Sequence, residues 1–290
     1  MVRMLKRVLG DLLTGSEADQ LVSAFDQIGE IIIVRIPDAL LPRRREIGRA
    51  LLDEIKVARS VFCQASAVGG EYRTRRLDLI AGEDNTTTTY RESGCTFNVD
   101  VENAFFSPRL SHERERIAGL VRDGETVLNM FGGVGTFSIV AAMRAACTIY
   151  NVDSNPVASA LCEENVALNE YTRRKRKRKM AGTVIPICGE ASQVVRERFD
   201  SAADRTMMLL PERSDEFLKH AAYATADGGT IHYYSHVHAD SRRDAPGLSE
   251  EHYMAMAPVR SEILGSRIVR AVGPRYYQTV VDARIHKDRG

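Results

Sequence analysis

No stretch of the chain approaches the roughly 20 consecutive apolar residues of a membrane span, and its longest hydrophobic runs are interrupted by charge. No C-x-x-C pair occurs, and five cysteines (Cys63, Cys95, Cys147, Cys162 and Cys188) are an odd number. A disulfide framework and a zinc site are therefore not expected, whereas reduced cytosolic thiols are. The opening MVRMLKRVLGDLL scatters charge and lacks a small-residue cleavage site, so no signal peptide is expected. Internal repeats are lacking too. Net charge is nearly lacking: 40 Lys and Arg against 39 Asp and Glu give +1. Taken as an average, that argues against a nucleic-acid partner. The average conceals Arg173 to Lys179, RRKRKRK, without which 33 basic residues face 39 acidic ones. The charge is concentrated in one run on an otherwise acidic body.

What is present suits a soluble globular chain of about two domains: 290 residues, 44% hydrophobic and 27% charged. In the first hundred, IGEIIIVRIP (Ile28 to Pro37) is a strand-like, β-branched run that stops at proline. From Arg43 to Ala58 the spacing predicts a helix with Ile47, Leu51, Leu52 and Ile55 on one face. Arg75 to Ile80 and Cys95 to Val101 read as strands around the turn-rich AGEDNTTTT. Ser107-Pro108 opens a helix expected to run to about Val121.

Beyond it the pattern changes. ETVLNMF reads as a strand, GGVGTFS as a glycine turn and IVAAMRAA as a helix. CTIYNVD, SNP and VASALCEENVALNE give strand, helix start and helix; TVIPICGE and RTMMLLP are later strands, followed by a helix and by the strand GGTIHYYSH. SRIVRAV and RYYQTVVDARI form two terminal strands joined at Gly273-Pro274. Strands alternating with helices predict a parallel, doubly wound α/β sheet. The expected domains are a smaller α+β domain over 1–115 and a Rossmann-like domain over 116–290.

A glycine turn between strand and helix lets backbone approach a ligand, and the helix N-terminus favours negative charge. Here it is Gly132-Gly133-Val134-Gly135, with Ser138 where a dinucleotide fingerprint needs glycine or alanine. Asp153 ends the next strand, 21 residues after Gly132, where a carboxylate meets ribose hydroxyls of either NAD or S-adenosyl-L-methionine (AdoMet). Glu190, in CGEAS, adds a carboxylate where methyltransferases often hold the adenine amine, which favours AdoMet. DRTMMLLP (Asp204 to Pro211) resembles the N-L-P or [ND]-P-P-[FY] loop that meets the acceptor nitrogen in N-methyltransferases.

Several segments in order resemble one family: EYRTRRLDLIAGE (Glu71 to Glu83), TTYRESGCTFNVD (Thr88 to Asp100), FFSPRLSHERERI (Phe105 to Ile117), NMFGGVGTFSI (Asn129 to Ile139), VDSNP (Val152 to Pro156), CGEAS, LLP and GGTIHYY (Gly228 to Tyr234). They resemble the archaeal and eukaryotic-type tRNA methyltransferases that form N1-methylguanosine at position 37, in a short form without an extra N-terminal tRNA-elbow module. The resemblance implies a class I (Rossmann-like) AdoMet methyltransferase domain and a tRNA partner. The family's usual asparagine is Leu209 here, and its usual aspartates are Asn129 and Glu190.

Methylating guanine N1 requires removal of its proton and stabilisation of charge at O6. Glu113 lies three residues after Leu110 and four before Ile117, on the apolar face. The residues alone leave it either a proton acceptor or a carboxylate paired with Arg114 or another cation; the resemblance implies the general base. It likewise implies Arg73 as the group steadying O6, Phe105 beside a flipped guanine and Pro211 as a wall of the acceptor pocket. Arg109 and Arg114 read as structural ion pairs or phosphate contacts. The expected cofactor residues are Asn129, Phe131, Gly133, Val134, Gly135, Asp153, Asn155, Glu190 and Leu209, with Asn155 equally able to join only the helix cap begun by Ser154. His232 is expected on a strand beside Tyr233 and Tyr234 and not in catalysis. Arg173, Arg174, Lys175 and Arg176, in an expected exposed loop, read as phosphate contacts. No metal, no membrane partner and a monomer in the cytoplasm complete the expectation. Its rivals are aminocarboxypropyl transfer from AdoMet in wybutosine synthesis, a non-catalytic AdoMet- or RNA-binding protein, and a nicotinamide oxidoreductase.

Overall fold

The β-branched run near the N-terminus is a hairpin and not one strand. Strands β1 (Phe25–Ile28) and β2 (Ile31–Val34) pair antiparallel about Gly29, whose φ is 55°. A Cβ at Gly29 would fall 2.4 Å from Thr88 Oγ1, so the reversal needs glycine for conformation and for space. The computed structural model describes residues 9–10, 25–66, 69–170 and 180–287; the basic run Arg173 to Lys179 lies outside them. Contacts divide the chain into two units, Met1–Arg109 and Leu110–Gly290.

In the first unit β2 is followed by helix α1 (Arg44–Glu54) and strand β3 (Ser60–Gln64), which runs parallel to β2. Strand β4 (Leu77–Gly82) completes the order β1-β2-β3-β4. Helix α1 turns Ile47 and Leu51 onto Ile32, Val34, Val61 and Ile80, with Ile55 just past its end and Leu52 at the margin. The apolar spacing at i, i+4 and i+8 is the reason this face is buried. A separate hairpin pairs β5 (Thr87–Glu92) with β6 (Cys95–Asp100). Strand β5 begins inside the segment expected to be turn: its threonines are β-branched and favour an extended, pleated surface.

The second unit opens with helix α2 (Ser111–Leu120), entered through a 3-10 turn over Pro108–Leu110. Alternation then follows: β7 (Thr126–Asn129), α3 (Thr136–Ala142), β8 (Thr148–Asp153), α4 (Pro156–Glu170) and β9 (Thr183–Cys188). Next come α5 (Ala191–Arg198), β10 (Ala203–Met208), α6 (Ser214–Ala224) and β11 (Thr225–His238). Helix α7 (Ala245–Met256) precedes the terminal hairpin β12 (Arg260–Gly273) and β13 (Tyr276–His286). Helices α5 and α7 are additions to the sequence-based expectation.

The sheet order is β12-β13-β11-β10-β7-β8-β9. Strands β7 to β11 are mutually parallel, while β13 runs antiparallel between β11 and β12. The sheet is thus mixed, and the hairpin supplies its antiparallel part. From β7 the chain winds outward to β9 and returns to β10 on the other side. That reversal opens a crevice at the carboxyl ends of β7 and β10, the place where such sheets bind ligands.

Candidate active site

The crevice begins with the turn from β7 into α3. Gly133 and Gly135 have φ of 53° and 86°, left-handed values that disfavour a side chain. Gly132 is required by crowding: a Cβ there would lie 2.2 Å from the Asn151 amide. That amide belongs to a buried polar cluster under the turn. Asn151 Oδ1 accepts from Ser138 Oγ at 2.6 Å and Asn129 Nδ2 at 3.4 Å; Asn151 Nδ2 donates to Gly133 O at 3.3 Å. Asn129 Oδ1 accepts from the Phe131 N–H at 3.4 Å. Asn129 is fully buried and holds the turn from beneath.

Asp153 closes over the turn from the end of β8. Its Oδ2 accepts from the Gly133 N–H at 2.7 Å and its Oδ1 from the Asn155 N–H at 2.9 Å. Burial pushes this carboxyl above its ordinary value, with the two backbone donors acting against the shift. Each oxygen retains a lone pair, so the group can accept from a pair of ribose hydroxyls. Asn155 Oδ1 accepts from the Val157 N–H at 3.0 Å, the arrangement of an N-cap on α4. Glu190 caps α5, its Oε2 taking Ser192 Oγ at 2.5 Å and the Gln193 N–H at 2.9 Å. Burial alone would raise Glu190, but these donors outweigh it and hold the carboxyl below its ordinary value. Both named donors are on Oε2, so Oε1 keeps accepting capacity for an amine.

Phe131 stands edge-on to Phe217, with ring centroids 5.0 Å apart, at the margin of the second unit's core. Leu209 and Leu210 follow β10 half-buried and lead to buried Pro211. The loop closes where Leu210 O accepts from Ser214 Oγ at 2.9 Å and the Arg213 N–H at 3.1 Å. Leu209 brings no amide to this edge, so a hydrogen bond from that side chain is absent.

Glu113 is buried on α2 at 3% exposure. Its cationic partner is Arg116, not Arg114: residues three apart share a helix face, whereas adjacent ones diverge. Arg116 donates to Glu113 Oε1 through Nη2 at 2.7 Å and Nε at 3.0 Å, and Tyr234 OH donates to the same oxygen at 2.6 Å. Oε2 receives only Arg116 Nε, at 3.1 Å, among the described residues. The pairing alternative therefore holds, yet one oxygen keeps accepting capacity. Burial and the neighbouring Glu113 push the Tyr234 phenol well above its ordinary value, so it stays a donor. Tyr234 follows Tyr233, the β11 partner of Met208, which sets the Glu113 carboxylate level with Leu209 at the carboxyl edge of the sheet. Arg114 is buried instead with its guanidinium 5.8 Å from the Phe137 ring.

Arg73 and Phe105 meet in the first unit. The Arg73 guanidinium lies 4.5 Å over the Phe105 ring, a cation–π geometry. Arg73 closes a turn whose N–H donates to Gly70 O at 3.2 Å, and it does so with φ at 53°. Phe106 is anchored edge-on to Tyr90 at 4.9 Å, which leaves Phe105 half-buried. Arg109 forms an ion pair with Asp26 at 2.9 Å. Sequence reasoning overlooked Arg116, Asp282, Asn151 and Tyr234 as working side chains. Only Arg116 had a local signal, its i, i+3 spacing from Glu113.

Residues 88–251 match the TRM5/TYW2 methyltransferase domain, and residues 5–86 match the TYW2 N-terminal domain. The chain belongs to the TRM5/TYW2 methyltransferase family. It is 38% identical over 268 residues to the tRNA (guanine(37)-N(1))-methyltransferase Trm5b of Pyrococcus abyssi, covering 91% of this chain and 76% of that one. It is 34% identical to the tRNA 4-demethylwyosine(37)-methyltransferase Taw21 of Saccharolobus solfataricus, covering 89% and 92%. A solved complex of aTrm5 and tRNALeu superposes with a TM-score of 0.81 at 31% identity, over 97% of this chain and 78% of that one. As a member of the TRM5/TYW2 family the chain is an AdoMet-dependent methyltransferase. The donor set agrees: turn amides at a helix N-terminus, the open lone pairs of Asp153 and the open Oε1 of Glu190 fit a nucleoside with ribose hydroxyls and an adenine amine.

Proposed function

We propose that this enzyme methylates N1 of guanosine at position 37 of tRNA, with Glu113 as general base and Arg73 steadying the charge that develops on O6. The observation that carries the base assignment is the asymmetry of Glu113: Oε1 is filled by Arg116 and Tyr234, while Oε2 keeps accepting capacity at the carboxyl edge of the sheet. A fixed carboxylate with one open oxygen suits in-plane removal of the N1 proton, and such positioned proton transfer contributes about 10²- to 10⁴-fold. Bound AdoMet supplies an electrophilic methyl group. Asp153, Glu190 and the turn Gly133 to Gly135 would hold it, with Phe131 and Leu209 lining the crevice. Pro211 would wall the acceptor pocket, and Phe105, stacked under Arg73, presents an aromatic face to the base. Arg109 and the run Arg173, Arg174, Lys175 and Arg176 would add phosphate contacts on the tRNA. Five cysteines, none in a disulfide and four of them buried, fit work in the cytoplasm; we infer a monomer.

Methylation of a tRNA transcript with guanosine at position 37, against the same transcript with adenosine there, tests the assignment. Labelling of the first alone is expected, with Glu113→Gln lowering kcat about 100-fold or more and leaving AdoMet binding intact. Equal labelling of both transcripts refutes it. One observation favours a second acceptor: the chain spans 92% of the Taw21 relative, so the tricyclic 4-demethylwyosine base is the substrate to try next. Product mass distinguishes either methylation from aminocarboxypropyl transfer.

A further inference from the structure

The Glu113–Arg116 pair is one end of a longer, partly buried chain in the second unit. Arg116 grips Glu113 with Nε and Nη2, and Asp282 with Nη1 and Nη2. One planar guanidinium thus spans two carboxylates and fixes both. Asp282, on β13, sits directly across from His232, on β11, and its Oδ1 lies 2.5 Å from His232 Nδ1. The other ring nitrogen, Nε2, lies 2.8 Å from Arg205 Nη1. Arg205 in turn donates to both oxygens of Glu125 at 2.8 Å and to Leu120 O at 3.0 Å.

This order fixes the protons. A guanidinium can only donate, so His232 Nε2 must accept, and the ring proton must be on Nδ1, donated to Asp282. His232 is therefore neutral. Burial, which holds its imidazole below the ordinary value, acts in the same sense. Burial alone would raise Asp282, but the donors on His232 and Arg116 hold it well below the usual carboxylate range. At their ordinary charges two guanidiniums face three carboxylates, so the chain carries one surplus negative charge. A proton arriving at Glu113 would cancel it.

We propose that Asp282 and His232 are positioning residues for methyl transfer, acting through Arg116 to hold the Glu113 carboxylate in the plane its reaction requires. This rests on the assignment of Glu113 as base. Arg116 and Tyr234 face Glu113, Arg116 and His232 face Asp282, and Asp282 and Arg205 face His232, with Arg122, Asp204, Asp227 and Arg284 around the adjoining cavity. A chain of this kind is a poor way to stabilise a fold, since buried ion pairs are often neutral against apolar replacements. It is a good way to orient a carboxylate. Its far end lines a cavity of about 480 Å³ with Glu125, Arg205, His232 and Asp282 in the wall, so side chains there can be altered without filling the crevice.

Asp282→Asn in the full chain, assayed by single-turnover methyl transfer to the guanosine-37 transcript, tests this. Expected are a 10- to 100-fold lower rate, AdoMet and tRNA affinities within about twofold of wild type, and an acid limb of the pH–rate profile moved to lower pH. The limb moves because Arg116, no longer countered by Asp282, favours the negative form of its remaining partner. His232→Asn, which keeps a donor at the Nδ1 position, is expected within about threefold of wild type, and His232→Leu to lower the rate as Asp282→Asn does. Should Asp282→Asn not fold, Arg116→Lys keeps the charge without spanning two carboxylates and is expected to lower the rate with AdoMet and tRNA affinities unchanged. A folded Asp282→Asn protein with unchanged rate and profile overturns the proposal, as does a loss confined to affinity. Glu113→Gln separates the two ideas: full activity there refutes the base itself, whereas an inactive Glu113→Gln beside a normal Asp282→Asn refutes only the positioning.

Discussion

Gly132→Ala is the sharpest steric test of the cofactor turn. The added methyl would sit 2.2 Å from the Asn151 side chain, well inside contact distance, and the amide has nowhere open to go: Asn151, Asn129 and Ser138 are all at or near complete burial. Displacing it breaks hydrogen bonds to Ser138, Asn129 and Gly133. Each is worth about 1 kcal/mol net, and overpacking adds about 1–3 kcal/mol. Gly132→Ala is thus expected to destabilise by about 4–6 kcal/mol, where an uncrowded glycine-to-alanine change would be neutral or helpful. Asn151→Ala removes the obstacle at the expense of the bonds to Ser138, Asn129 and Gly133, about 3 kcal/mol. The double variant has lost the same bonds only once and has no clash, so it should lie near Asn151→Ala alone. Urea unfolding of all four proteins measures the cycle, and a coupling of at least about 2 kcal/mol is expected. Additive effects, or a Gly132→Ala cost below about 1 kcal/mol, would refute the crowding argument.

Two further outcomes follow from single side chains. Arg73 has φ at 53°, so Arg73→Gly relieves about 1 kcal/mol of left-handed strain while losing a cation–π contact of about 0.5–1 kcal/mol. Its stability should stay near wild type and exceed that of Arg73→Ala, with methyl transfer lost in both; thermal melts and a methylation assay decide. His232 has a folded pKa below its unfolded value of about 6.5, so below that pH the unfolded chain binds the extra proton and stability falls as pH falls. Unfolding free energy should drop as pH falls below about 6.5, by at most about 1.4 kcal/mol per pH unit, and the contribution should vanish in His232→Asn; an identical slope in that variant contradicts it.

The parts of the molecule legible in the sequence are those set by local rules. The glycine turn, Asp153 at the next strand end and the terminal hairpin follow from strand–turn–helix punctuation, and the structure has all three. Helix α1 announced itself by its buried face. The hairpin at Gly29 did not, because an unbroken β-branched run carries no sign of reversal apart from one glycine whose necessity depends on Thr88, far along the chain. Strand β5 was hidden by threonine, a residue shared by turns and strands. In the site the same division applies: Asn155 was readable as a cap, since a cap concerns residues two apart, and Glu190 hides a similar cap beneath an expected cofactor role.

Glu113 shows why the remainder was beyond local reading. Helix α2 buries Glu113, Arg114 and Ile117 together, so a helical wheel supplies the inward direction but no partner. The neighbour in sequence, Arg114, is turned toward Phe137, while Arg116 reaches Glu113 and also Asp282, 166 positions later. That second contact exists only because β13 inserts between β11 and β12 and sets Asp282 opposite His232. The antiparallel terminal hairpin is therefore more than an edge to the sheet: it carries the carboxylate that completes the coordination of Arg116. An inserted strand is also intolerant of slippage, because a one-residue shift would turn Asp282 to the opposite face and leave Arg116 and His232 without it. The geometry of the proton acceptor is in this way tied to the register of the last strand.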